Sequence, residues 1–332
     1  MALVSKPAVS FLGPVASYSH QAVRQVFPEN IWDLKPAVTI DDVFNQVQGR
    51  EVLAGVVPLE NSSNGPVVFT LDNLADRDGR YKDITVHGEI FVEVHHCLVG
   101  HKSPQPRAED NAEGSGTSTP TAADPTPAKP RAKPLSSLKH IKRVYSHPQA
   151  FGQCNAFIST YLKGVEIVDT SSTSKAAEIV SQDGNGTWAA ISNELAGSLH
   201  GLDFLAKSIE DREDNTTRFL IIGTNSSVPK DWQLQKQESA SAPSNKSLVS
   251  FTVPHTSPGA LADVLSCFKE FGLNLTSINS RPSLKAPFQY IFFVEFDGHR
   301  YHDPDGRVSG ALDKISRVAE SWRWLGSWER YK

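Results

Sequence analysis

Asp214-Asn215-Thr216-Thr217-Arg218-Phe219-Leu220-Ile221-Ile222-Gly223 sets two hydroxyls, an amide and a guanidinium directly before an apolar run. The run has the length and content of a buried strand, and a strand starting there holds polar groups still at its mouth. Arg218 offers a planar, permanently charged fork suited to a carboxylate, and the adjacent Thr217 hydroxyl can give or share a proton. A turn with an exposed arginine would carry the same letters, so the flanking segments decide between the two readings.

Working upstream, strand, polar turn and helix recur. Ala8 to Leu12 reads as a strand running into Gly13-Pro14-Val15-Ala16-Ser17-Tyr18-Ser19-His20, after which Ala22, Val23, Val26 and Phe27 fall at helical spacing. Ser19 is placed to cap that helix, with Ser17 and Tyr18 at an N-terminus that favours anions. Thr39 and Asp42 form a capping box before Val43, Phe44 and Val47, and Val52 to Leu59 is a second buried strand. It ends in Glu60-Asn61-Ser62-Ser63-Asn64-Gly65, polar residues ill suited to a core, before a helix carrying Val67, Val68, Leu71 and Leu74. Further on, Ser146 fits an N-cap ahead of Pro148, and Ala150, Phe151, Cys154, Phe157, Ile158, Tyr161 and Leu162 make one apolar stripe. Gln149 and Gln153 lie one helical turn apart on another face and can reach one ligand. Val165 to Val168 leads to the hydroxyl-rich helix start Ser171-Ser172-Thr173-Ser174, followed by the strand Trp188 to Ile191 and the helix Asn193 to Leu199. This alternation predicts an α/β fold of two lobes whose polar turns converge on a cleft. Ile84 to Val99 reads as one or two strands; its adjacent His95 and His96 point to opposite faces and are expected to be structural rather than metal ligands.

Two stretches interrupt the pattern. His101 to Pro134 holds seven prolines and no Val, Ile, Leu, Met or aromatic residue, so burial cannot offset ordering and a disordered insertion is expected. Residues 225–246 read as a polar linker to a last block. There Leu248–Val253, Leu273–Ser280, Phe288–Phe296 and Trp322–Trp328 are strands, and Pro258–Phe271 and Val308–Val318 are helices. Together they make a ferredoxin-like βαββαβ module with its own core over residues 247–332.

Lys+Arg 33 against Asp+Glu 37 gives a net charge of −4, which provides no basic field for nucleic acid. No apolar run reaches the roughly 20 residues of a membrane span. The three cysteines, Cys97, Cys154 and Cys267, have neither disulfide-framework nor CxxC spacing and read as reduced thiols of a cytoplasmic protein. The Asn-x-Ser/Thr triplets are then not expected to be glycosylated. A small molecule is the expected partner.

Five motifs in order, Ser17-Tyr18-Ser19-His20-Gln21-Ala22, Pro58 to Gly65, Ser146 to Cys154, Ser172 to Ala177 and Thr217-Arg218-Phe219, resemble those of monofunctional prephenate dehydratases. The last block resembles their regulatory ACT domain, with Gly259-Ala260-Leu261 and Asn279-Ser280-Arg281-Pro282 at its phenylalanine-binding motifs and Asn274 beside them. The resemblance implies a bilobal catalytic domain over residues 1–224, similar to type 2 periplasmic binding proteins, working as a homodimer or homotetramer in phenylalanine biosynthesis. It implies prephenate as substrate, L-phenylalanine as effector and no metal or organic cofactor. Thr217 would protonate or hydrogen-bond the departing hydroxide, with Asn61, Gln153 and Ser146 orienting the substrate and Glu60 orienting its neighbours. Arg218, with groups around Ser17, Tyr18, Ser19, Ser62, Ser172, Thr173 and Phe219, would hold the carboxylates and ring. Departures are Ala16-Ser17 where the family usually has Gly-Thr, Ser171 where an acidic residue often stands, and Asn279 for a frequent Glu. Arogenate dehydratase and a non-catalytic amino-acid sensor are the alternatives.

Overall fold

The computed structural model describes residues 6–103, 129–224, 245–254 and 256–329; most of the expected insertion and of the linker lies outside them. The chain builds β1 (Ala8–Leu12), α1 (Tyr18–Val26), β2 (Asp33–Ala37), α2 (Ile40–Gln48), β3 (Ala54–Asn61), β4 (Gly65–Pro66), α3 (Val68–Ala75) and β5 (Ile84–Glu93). It then crosses to a second lobe, made of β6 (Cys97–Gly100), β7 (Arg143–Ser146), α4 (Pro148–Gly152), α5 (Asn155–Tyr161), β8 (Glu166–Asp169), α6 (Thr173–Ser181), β9 (Trp188–Ser192), α7 (Glu194–Leu199) and β10 (Asp203–Ala206). It returns as β11 (Thr216–Thr224), inserted between β5 and β3. The C-terminal module follows as β12 (Asn245–Thr252), α8 (Ala260–Glu270), β13 (Leu275–Pro282), β14 (Tyr290–Asp297), α9 (Arg307–Val318) and β15 (Ser321–Glu329).

One sheet runs β13-β14-β12-β15-β5-β11-β3-β1-β2, with β4 attached to β3, and a second runs β10-β6-β9-β7-β8. The first sheet therefore continues from the C-terminal module into the first lobe. Its seam is a single parallel contact of Gly326 on β15 with Val86 on β5. Gly326 has φ +147°, and a Cβ there would stand 2.1 Å from the Val86 carbonyl oxygen, so only glycine lets the two backbones meet. The module has its own core, in which Phe251, Val264, Phe268, Val294, Phe296 and Ile315 pack together. Its opposite face also joins the first lobe: Leu248, Phe293, Leu325 and Trp328 share a cluster with Val43, Phe44, Leu71 and Leu74. The expectation of a separate core is correct for one face only.

Local differences from the sequence reading have physical causes. Ser17, not Ser19, caps α1, its hydroxyl accepting His20 N–H at 3.2 Å. His147 caps α4, because Ser146 is still strand and fully buried. The expected single helix breaks at Gln153-Cys154 into α4 and α5. β12 begins at Asn245, inside the expected linker, because Lys246 is a buried partner of two carboxylates. The capping box of Thr39 and Asp42 is present as read.

Candidate active site

β3 and β11 are antiparallel, and their register sets Asn61 opposite Thr217 and Glu60 opposite Arg218. Neighbours along a strand face opposite ways, so these four side chains sort into two pairs on opposite faces of the sheet. On one face Asn61 Nδ2 donates to Thr217 Oγ1 at 2.9 Å and to Asn215 Oδ1 at 2.8 Å. The Asn61 amide is fixed from behind, since its Oδ1 accepts the backbone N–H groups of Ser63 and Asn64, each at 3.0 Å. With its oxygen accepting from that amide, the Thr217 hydroxyl directs its own proton elsewhere. Asn215 is 1% exposed and its Nδ2 has no acceptor among the described residues, a costly arrangement for a buried donor unless a ligand completes it. Ser62 Oγ secures the segment, donating to the Asp214 carbonyl at 3.0 Å and accepting Thr216 N–H at 2.9 Å.

The facing wall comes from the second lobe. The break between α4 and α5 leaves the Gln153 carbonyl to accept Asp211 N–H at 2.7 Å and turns the side chain inward. Gln149 and Gln153 line a cavity of about 260 Å³ with Ser63, Asn64, Asn215 and Arg212. Asn61 and Thr217 are not in that lining; Asn61 bonds to Asn215, which is, and to Thr217 beyond it. At another point on the lobe boundary, Ser174 Oγ donates to the Val15 carbonyl and Asn193 Nδ2 to the Ala16 carbonyl, both at 2.7 Å. The capped starts of α1 at Ser17 and α6 at Ser172 are thereby brought together.

Two strands of chain connect the lobes, residues 94–96 and 207–215, and they bond to each other. Val94 N–H donates to the Asn215 carbonyl at 2.7 Å and Ile209 N–H to the His96 carbonyl at 2.9 Å. Buried Glu210 binds this crossing, accepting His96 N–H at 2.8 Å and standing 3.1 Å from His95 Nδ1. That contact with Glu210 raises the His95 pKa against the opposing effect of burial. Burial lowers the His96 pKa and raises those of Tyr18 and Cys154, so these three are neutral.

A sequence model of the family described as prephenate dehydratase matches residues 9–227. The chain belongs to the prephenate dehydratase family. Among its relatives, the bifunctional chorismate mutase/prephenate dehydratase of Aquifex aeolicus is 31% identical over 330 residues, 99% of this chain and 75% of that protein. The probable prephenate dehydratase of Saccharomyces cerevisiae is 31% identical over 355 residues, 97% of this chain and 96% of that one. A crystal structure of prephenate dehydratase in complex with L-Phe from Arthrobacter aurescens aligns with a TM-score of 0.76 at 27% identity, covering 97% of this chain and 90% of that one.

Within this prephenate dehydratase fold, several expected contacts lie away from the cavity. Arg218 is 5% exposed and faces the C-terminal module. It meets Glu60 at 3.1 Å, Glu89 at 2.6 Å and Glu295 of β14 at close range, while Lys246 reaches Glu295 at 2.8 Å. Burial alone would raise the Glu295 pKa; Arg218 and Lys246 outweigh it and hold the carboxyl below its usual range. The Arg218 guanidinium, expected to hold a substrate carboxylate, here pairs with three protein carboxylates, Glu60 among them. Phe219 is 1% exposed in the core with Val9, Phe11 and Ile90. Ser146 donates to the Ile191 carbonyl at 2.7 Å, and Ser19 is buried within α1. Ser62 N–H is taken by the Thr216 carbonyl at 2.8 Å and cannot serve an anion. Tyr18 turns its hydroxyl to the lobe crossing, 3.0 Å from both the His95 carbonyl and His96 Nδ1. Thr173 opens α6 beside its cap Ser172. Asn215, Arg212 and His96 were not assigned from sequence. The amide of Asn215, two residues before Thr217 at the strand mouth, was the available signal; His96 had none, since the sequence put it in a strand, whereas residues 94–96 lie between β5 and β6.

The expected effector positions also separate. Gly259 caps α8, with Ala260 and Leu261 in its first turn, and Ser280 and Pro282 lie on exposed parts of β13. Asn274 donates to Asp297 at 3.0 Å. Arg281 makes two hydrogen bonds of 2.8 Å to Asp72 of α3, tying the module to the first lobe instead of leaving its fork open.

Proposed function

We propose that the cleft between Thr217 and Gln153 converts prephenate to phenylpyruvate, carbon dioxide and water. Loss of the ring carboxylate sends an electron pair into the ring and expels the hydroxyl at the far carbon. Thr217 gives that oxygen a hydrogen bond or its proton as the bond breaks, and the one proton that the net reaction consumes is restored from water. Aromatisation drives the reaction, so the protein's task is to stabilise charge on the departing oxygen. The Asn61 to Thr217 hydrogen bond carries this reading, because it fixes the oxygen of an otherwise rotatable hydroxyl and leaves its proton for a substrate acceptor. Asn215, Gln149, Gln153 and Arg212 supply donors for the substrate's polar groups. The α6 start at Ser172 and Thr173, beside Ser17, supplies backbone N–H groups and a positive helix end for a carboxylate. Arg212 replaces Arg218 as the cation in this account; its pair with Asp214 at 2.6 Å is exposed and local, so a substrate carboxylate can displace it at little cost.

The C-terminal module is read as an ACT domain that responds to L-phenylalanine, supported by its βαββαβ order and by the L-Phe complex of the Arthrobacter relative. Residues 1–224 form the catalytic unit and residues from Asn245 onward the regulatory one, in a cytoplasmic homo-oligomer. Purified protein should form phenylpyruvate from prephenate. Thr217→Val should lower kcat by about a hundredfold with KM little changed, whereas Thr217→Ser should retain most of the rate. A valine variant at the wild-type rate would remove Thr217 from the chemistry.

A further inference from the structure

His96 is 2% exposed and lies in the first of the two chain crossings between the lobes. Its imidazole touches one predicted site residue from each lobe. Nε2 stands 2.7 Å from Gln153 Oε1 of the second lobe, and Nδ1 stands 3.0 Å from the hydroxyl of Tyr18 in α1 of the first. The backbone around the ring is held as well, since His96 N–H donates to buried Glu210 and its carbonyl accepts Ile209 N–H. A neutral imidazole owns one N–H. Because Nε2 faces a carbonyl oxygen, which can only accept, the proton belongs on Nε2. Nδ1 then accepts a share of the one Tyr18 hydroxyl proton, which is also donated to the His95 carbonyl, each at 3.0 Å.

We propose that His96 is a positioning residue that engages the carbonyl end of the Gln153 amide and so presents its NH2 end, as a donor, to the substrate in the cleft. An amide turned the other way would offer a carbonyl oxygen to an anionic substrate. His96 never touches the substrate; it acts through Gln153. This rests on the dehydratase reading above, and a wild-type protein inert toward prephenate would defeat that reading first.

The test combines kinetics with spectroscopy. The amide of glutamine at position 96 reaches about as far as Nε2, while that of asparagine reaches only about as far as Nδ1. His96→Asn should therefore lower kcat by about tenfold or more with KM nearly constant, and His96→Gln should recover most of the loss. In a Gln153→Ala background, His96→Asn should have no further effect on kcat, because its route is already removed. A His96→Asn enzyme at wild-type kcat, or a double variant losing the product of the two single effects, would overturn the proposal. If the variants do not fold, ¹⁵N NMR of the wild-type histidine rings decides it without them and without any assay. A protonated Nε2 and bare Nδ1 at His96 are expected; the reverse tautomer overturns the assignment.

Discussion

At the scale of single residues, the site depends on fixing hydrogen-bond direction. Asn61 faces two backbone donors with its oxygen and the Thr217 hydroxyl with its nitrogen, so its amide has one usable orientation. Asn61→Asp keeps the shape and still accepts from Ser63 and Asn64, but it replaces the donor facing Thr217 with a second acceptor. The Thr217 proton would then go to the aspartate. We expect kcat to fall by about a hundredfold, with thermal stability near wild type; a rate unchanged in a steady-state assay of phenylpyruvate would show that the direction of this bond is irrelevant. The hydroxyl-rich mouth of β11 was legible in sequence because polar groups there have no core to join. The role of Arg218 was not, because its partner on β14 is 77 residues away and only the folded sheet brings the two together.

At the scale of elements, β11 has two jobs on two faces. Thr217 meets Asn61 on one face, and Arg218 looks toward the C-terminal module through Glu89 and Glu295 on the other. Breaking a buried ion pair by removing one partner costs about 3–5 kcal/mol, because the remaining charge stays desolvated. Arg218→Ala leaves buried Glu89 and Glu295 to share Lys246, so urea unfolding should show a lower midpoint, equivalent to about 3 kcal/mol of stability, with an unchanged slope. The KM for prephenate should move little. A stable variant with a raised KM would instead return Arg218 to substrate binding. Strands with buried apolar content, such as β1, β3 and β11, could be read directly. β2 and β10 could not, since Asp33-Leu34-Lys35-Pro36-Ala37 is a charged, proline-bearing sheet edge that carries no apolar alternation.

At the scale of the whole molecule, one sheet links the C-terminal module and the first lobe, so global stability reports on both. His87 of β5 is half-buried within it, and desolvation there lowers its pKa to about 4 from 6.5. The unfolded imidazole takes up a proton first as pH falls. Stability is therefore highest above about 6.5 and declines toward 4, by roughly 3 kcal/mol in all. His87→Phe should flatten that part of a stability-versus-pH curve measured by urea unfolding, and an unchanged slope would assign the acid sensitivity to other groups. The βαββαβ order of the C-terminal module was legible from apolar periodicity. Its second interface, through Trp328 and Gly326 against the first lobe, was not, because an apolar residue does not specify which core it joins. The central claim is that Thr217 of one lobe and Gln153 of the other act on a single substrate. Prephenate turnover by Thr217→Val, Gln153→Ala and the double variant tests it most directly. We predict that the double variant loses much less than the product of the single losses in kcat, as groups serving one transition state do; losses that simply multiply would contradict the account.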